Sequence, residues 1–228
     1  MLIVEELFLL LTDANGNPVV VGTSRTTALN AALLADLHLA RRIQLSEDER
    51  PRVRVAYAGH GGNDALGFGQ EMLSKRTGRR LADLIWWGRL DPEEAVVNSL
   101  VRSGILRRVE ERGWLGRSKV KLLKLDPTPE RELRERLAAV FAGRSAPTPA
   151  DATILAILES LDVIVQLLYR ESGASSRPEL RARLAQVLDH SSAPDYAVSR
   201  TVRGMRLDTS RPSGLETGGV GDAGGAFA

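Results

Sequence analysis

The sequence contains no cysteine. That excludes disulfides, thiol nucleophiles and thiolate-held metals, and it suits a reducing compartment. Histidine is scarce, with three in 228 residues, at His38, His60 and His190. No two of them stand four apart and no HExxH occurs, so that zinc-binding pattern is missing. His38 lies two residues from Asp36, a spacing that does not share a helix face. The glycine-rich stretch 59–64 lacks both the Gly-Lys-Ser/Thr of a phosphate-binding loop and the spacing of a dinucleotide fingerprint, and it reads as a connector. Ser24, Ser118 and Ser145 sit in no nucleophile-elbow context. Carboxylates are interleaved with arginine, as in Glu130-Arg131-Glu132 and Arg134-Glu135-Arg136, the pattern of a solvated helix face. A convergent reactive set is wanting, so the expectation is a non-enzyme with no cofactor and no metal.

Long apolar runs are absent too. None reaches the roughly 18 to 20 residues that span a bilayer. The opening MLIVEELFLLLTD has no basic leading segment and no small-residue cleavage site, and it carries Glu5 and Glu6 inside its apolar run. It reads as a buried element rather than a secretion signal. A membrane contact by this chain would be a surface contact, with a cytoplasmic, peripheral location expected.

What remains is an ordinary globular balance, 43% hydrophobic and 26% charged with a formal net charge of +2. Such a chain can bury a core, and nothing global demands a polyanionic partner. Residues 2–12 suit a buried helix or a strand. An Asn15-Gly16 turn follows, and 19–21 is a short β-like run. The i, i+4, i+8 spacing of Leu29, Leu33 and Leu37 predicts a helix over 26–42, capped by Ser24 or Thr23 and ending on Arg41 and Arg42. A charged turn leads to a strand over 53–57, then helices over 65–74 and 80–87. Adjacent Trp86 and Trp87 point about 100° apart on a helix and cannot form one stacking platform. Asp91-Pro92-Glu93-Glu94 opens a helix over 92–103 that stops at Gly104. Thr128-Pro129 and Thr148-Pro149 open helices over 129–141 and 149–169, the second apolar on nearly all faces. Helices over 178–188 and 194–205 complete one mainly α domain, residues 1–205. The Gly-rich segment 206–228 is expected to be disordered.

The most informative stretch is 105–125. It reads as a β-hairpin turning at Gly113-Trp114-Leu115-Gly116, with Trp114 and Leu115 at the tip. Seven cations flank the turn (Arg107, Arg108, Arg112, Arg117, Lys119, Lys121 and Lys124) against two acids, Glu110 and Glu111. A greasy tip between basic strands suits a surface with an apolar layer beneath an anionic one, as in lipid headgroups. Insertion falls to Trp114 and Leu115, and anionic headgroup contact to Arg107, Arg108, Arg112, Arg117, Lys119 and Lys121. Two other readings stay open. A helix followed by a basic hairpin resembles a recognition helix and wing, although Glu93 and Glu94 would repel phosphate and count against nucleic acid. A Trp-Leu tip also makes a good anchor for protein clients or for a homo-oligomer joined through the hairpin.

In order and spacing, LIVEELFLLLTDANGNP, ALNAALLADLHLARRIQL, NSLVRSGILRRVEERGWLGRSKVKLLKLDPTPE and ATILAILESLDVI resemble the Golgi phosphoprotein 3 family over residues 1–205. The resemblance implies a central hydrophobic helix bundle wrapped by amphipathic helices, with a projecting basic hairpin and short N-terminal β elements. It also implies peripheral membrane binding to phosphatidylinositol 4-phosphate, a hairpin that dips into lipid, and protein clients. The family's headgroup pocket uses a Trp, which falls at Val21 here, and three Arg, which fall at Asn30 and near Leu90 and Glu93. Arg25 and Arg89 are the nearby cations available as a substitute pocket.

Overall fold

The computed structural model describes residues 1–56, 64–112, 118–189 and 194–205, with the backbone alone at 111, 112, 118 and 119. The chain is mainly helical, with two small antiparallel hairpins. Its helices are α1 (Ile3–Leu10), α2 (Gly22–Leu39), α3 (Asp64–Leu73), α4 (Leu81–Ile85), α5 (Glu93–Arg102), α6 (Thr128–Phe141), α7 (Pro149–Ser160), α8 (Ile164–Leu168), α9 (Arg177–Asp189) and α10 (Ala197–Arg203). One hairpin pairs β1 (Ile43–Leu45) with β2 (Val53–Val55), and the other pairs β3 (Leu106–Arg112) with β4 (Ser118–Lys124). The Gly-rich stretch 206–228 and residues 57–63 lie outside the described residues.

Three helices carry the core. Every residue of α1 is buried, and α2 buries most of its length. α7 buries Asp151 through Leu158 without a break. α1 packs against α2, α5, α6 and α7. A helix apolar on all sides has no solvent face to offer, so it sits centrally. The outer helices show a single stripe instead: Leu133, Leu137, Val140 and Phe141 on α6, and Leu180, Leu184 and Leu188 on α9. Each fully buried Leu contributes roughly 2 kcal/mol.

Glu6, Arg136 and Asp151 form a matched charge network at the edge of this core. Glu6 of α1 holds Arg136 of α6 at 2.8 Å, and Arg136 reaches Asp151 of α7 at 2.7 Å. Asp151 in turn closes a capping box with Thr148, whose hydroxyl accepts the Asp151 N–H at 3.1 Å. Asp36 of α2 accepts the N–H groups of Ile3 and Val4 at the start of α1, at 2.8 and 2.9 Å.

Several boundaries differ from the sequence expectation. α2 begins at Gly22 after Val21, which has no side-chain acceptor, so neither Thr23 nor Ser24 caps it. Arg41 adopts φ 58° beyond the helix end, and Arg42 follows it. Residues 19–21 form no strand; the local pairing is a single bridge between Thr12 and Pro18. Thr128 is not a cap either: it is the first residue of α6, Pro127 stands in the cap position, and Asp126 accepts the Thr128 N–H at 2.9 Å. The expected 149–169 helix breaks in two where Asp162 takes φ 56°. Apolar periodicity continues across that break, which is why hydropathy alone could not detect it.

Candidate functional site

α5 positions the basic hairpin. It ends at Ser103, and Gly104 enters the left-handed region with φ 75°. The Gly104 N–H reaches the Val101 carbonyl at 3.1 Å and the Ile105 N–H reaches that of Leu100 at 3.0 Å. This is the glycine-terminated helix end in which both orphan carbonyls are satisfied and the chain turns sharply. β3 leaves from there and pairs with β4 from Leu106↔Lys124 out to Arg112↔Ser118. Strands of seven residues extend about 20 Å.

The base of the hairpin is fixed at several points. Leu106 is buried in the core. Lys124 Nζ donates to the carbonyls of Leu9 and Thr12 at 3.0 and 2.6 Å and meets Glu130 at 2.6 Å. Arg108 donates to Glu94 at 2.7 Å and Asn98 at 3.1 Å, both on α5. The Asp13–Asn17 turn lies against β4 so closely that a Cβ on Gly16 would stand 1.8 Å from the Leu122 carbonyl oxygen.

This geometry sorts the hairpin cations. Lys124 is an internal strut and Arg108 a partly neutralised one. Arg107 is exposed, paired in register with Leu123, and Lys121 is half-buried, paired with Val109. Since successive side chains alternate across a strand, Arg107 and Lys121 share one face and Arg108 lies on the other. Val120 is 57% exposed, an apolar group open to the surroundings on the outer half of β4. The backbone of Arg112 and Lys119 belongs to the strands, while Trp114, Leu115 and Arg117 lie outside the described residues. The sequence pattern identified the hairpin but could not separate struts from exposed cations. The partners that distinguish them, Leu9, Thr12, Glu94, Asn98 and Glu130, come from other elements.

Arg25 and Arg89 sit in different settings. Arg25 is 5% exposed, with Nε 3.0 Å from Glu93, Nη1 donating to the Leu11 carbonyl at 2.8 Å and its guanidinium 4.6 Å from the Phe8 ring. Its charge is spent on tying α1, α2 and α5 together. Arg89 is exposed in the loop before α5. At the positions aligned with the family's headgroup pocket, Val21 is exposed and Leu90 is buried. Asn30 is buried and donates to the carbonyls of Ile85 and Trp87, both at 3.1 Å. Glu93 is the partner of Arg25. These four side chains supply no cation.

No helix among the described residues is long and apolar enough to cross a membrane, and among them no group of three His, Cys, Asp or Glu could hold a metal ion. Trp87 is half-buried against the core with Arg76 over its ring at 4.6 Å, and Trp86 is 40% exposed. A search of curated proteins finds no match. The family model for Golgi phosphoprotein 3 (GPP34) matches residues 3–206. Spanning nearly all of the folded part, that match makes the chain a member of the Golgi phosphoprotein 3 family.

Proposed function

We propose that this chain is a non-catalytic peripheral membrane protein that binds anionic phospholipid headgroups through the β3–β4 hairpin, with Trp114 and Leu115 entering the lipid. The observation that carries the reading is a basic hairpin braced at its base by Lys124 and Arg108, with Arg107 exposed near that base on the opposite face to Arg108 and Val120 exposed on the outer half. Family membership supports the same class, with phosphatidylinositol 4-phosphate as the family's ligand. Because the aligned pocket positions are neutral or acidic, headgroup contact here falls to the hairpin cations. Arg107, Arg112, Arg117, Lys119 and Lys121 contribute about 1 kcal/mol each near an anionic surface. Burial of Trp114 and Leu115 adds about 3 kcal/mol. The sum gives a reversible, salt-sensitive association. Protein clients and a homo-oligomer joined through the hairpin fit alongside it.

Nucleic acid is the less favoured partner, because α5 has few groups to offer a groove. Arg102 is taken by Asp64, Asn98 by Arg108 and Ser99 by Glu5. The test is co-sedimentation with vesicles of neutral lipid, phosphatidylserine and phosphatidylinositol 4-phosphate at matched charge. Equal pelleting with both anionic types, reduced at least tenfold by the Trp114→Ala, Leu115→Ala pair, is the expected result. No pelleting with any of them, or a double variant that pellets normally, overturns the proposal.

A further inference from the structure

A second basic surface lies on a different element, the small β1–β2 hairpin. β2 pairs with β1 on one edge through Gln44↔Arg54 and Leu45↔Val53. Its other edge is taken by the basic turn Lys75-Arg76-Thr77-Gly78-Arg79-Arg80. The Val53 N–H reaches the Arg79 carbonyl at 2.8 Å, the Gly78 N–H reaches Val53 at 2.7 Å, and Arg52 and Arg80 form an antiparallel bridge. Alternation sends Val53 and Ile43 into the core and leaves Arg52, Arg54 and Gln44 exposed. Bridge partners share a face, so Arg80 stands beside Arg52 on that outer face.

Like charges directly across a pair of strands are destabilising. Neither Arg52, Arg54 nor Arg80 has a carboxylate partner among the described residues. Arg50, Lys75 and Arg79, also exposed, surround them. Beside this face opens a cavity of about 440 Å³ whose wall combines the polar Ser46, Arg52, Arg54 and Thr77 with the apolar Leu45 and Val53 and holds no carboxylate. Its polar groups are poised as donors. Arg52 spends Nη1 on the Gly78 carbonyl at 2.8 Å and Arg54 spends Nη2 on Gln44 Oε1 at 3.1 Å, which steadies both guanidiniums and leaves their other N–H groups. The Ser46 hydroxyl oxygen accepts the Arg52 N–H at 2.9 Å and the Thr77 oxygen accepts the Val55 N–H at 3.4 Å, so each hydroxyl keeps its proton to give.

From this we infer that the cavity lined by Arg52 and Arg54, with Arg80 next to its wall across the bridge to Arg52, is a binding site for a phosphomonoester carried on a small polar body. The polar part of the wall, guanidinium and hydroxyl donors with no carboxylate among them, matches a ligand group that only accepts. The volume falls in the range of small-molecule pockets, which leaves room for more than the phosphate. Exposed Glu47, Asp48 and Glu49 at the tip of the β1–β2 hairpin repel an extended polyanion, which selects against nucleic acid. The phosphomonoester can come from a soluble compound or from a lipid headgroup. The inference stands independently of the β3–β4 hairpin.

The test is calorimetric titration of the full chain with inositol 1-phosphate, with sulfate as the control at fixed ionic strength. A parallel arm compares vesicles carrying phosphatidic acid with vesicles carrying phosphatidylserine at matched charge. Saturable binding of inositol 1-phosphate, weakened at least about tenfold in Arg54→Gln, Arg80→Gln, is expected. The Thr77→Val variant weakens it less, and the melting temperature stays near that of the parent. The Arg107→Gln, Lys121→Gln pair, with the same charge change on the other hairpin, leaves that affinity within about twofold. Preference for phosphatidic acid vesicles that the Arg54, Arg80 pair abolishes, without soluble binding, assigns the site to a lipid headgroup. Absence of both kinds of binding overturns the inference, as does equal loss in the two charge-matched double variants.

Discussion

Asp36 and Lys124 hold opposite ends of the same helix. Asp36 accepts the first N–H groups of α1, from Ile3 and Val4, while Lys124 donates to Leu9 and Thr12 at its other end. A carboxyl acceptor at the N-terminus and a cation at the C-terminus satisfy orphan backbone groups, and the cation suits the C-terminal end of the helix dipole. Neither group belongs to α1; one comes from α2 and the other from the hairpin. The central helix is thereby coupled to the candidate membrane element.

Asp36 should make stability depend on pH in the direction opposite to a paired surface carboxylate. Burial pushes its carboxyl up to about 7 from 3.8, outweighing the bonds from Val4 and Ile3, and the charges of Glu5 and Glu6 push the same way. The folded chain then binds a proton that the unfolded chain releases, so this contribution is full below pH 3.8 and lost as pH rises through about 7. Between roughly pH 8 and 5.5 the gain on acidification is about 2 kcal/mol. Thermal melts of Asp36→Asn across that range should lack this slope. Parallel profiles for variant and parent would refute the assignment.

Lys124 and Lys121, three residues apart, should respond differently to loss of charge. Lys124→Met strands the Leu9 and Thr12 carbonyls, leaves Glu130 with Arg134 as its remaining partner, and should cost about 3 kcal/mol by urea denaturation. Lys121→Gln should cost less than about 1 kcal/mol and act mainly on vesicle binding.

Gly16→Ala should destabilise the fold by at least about 2 kcal/mol. Its φ is +80° and its Cβ would overlap the Leu122 carbonyl, so both the backbone and the β4 contact resist the change. Chemical denaturation would measure this, and a loss under about 0.5 kcal/mol would argue against the close approach.

Arg25→Met should lower stability by about 3 kcal/mol, whereas Glu93→Gln should cost about 1 kcal/mol. The asymmetry follows from exposure, 6% for the arginine side chain and 39% for the glutamate. Vesicle binding measured below the melting transition should be unchanged in Arg25→Met. A selective loss of binding in the folded variant would return Arg25 to the headgroup site.

Local chemistry was legible in the sequence where local chemistry decides the outcome. Thr148, Pro149 and Asp151 form a cap from neighbours alone, and the β3–β4 hairpin follows from strand pattern and turn residues. Thr128 carries the same Thr-Pro signal but lies one position inside its helix, with Pro127 in the cap position and its N–H accepted by Asp126. Asp162 breaks a helix that hydropathy extends through it. Arg25 and Lys124 look like surface cations in the sequence, and only partners many residues away bring them inside. The Arg52–Arg80 pairing escaped for the same reason, since the two segments meet across an edge that periodicity cannot reveal.

The anchoring of Lys124 has a kinetic consequence. A hairpin already braced against α1 and α6 has little conformational entropy left to lose at its base on docking. Encounter then needs no folding step, and changes in tip chemistry should alter how long the protein stays on a surface more than how fast it arrives. Loosening the Lys124 brace should reverse that balance, turning a stiff probe into a tether whose arrival depends on its own rearrangement.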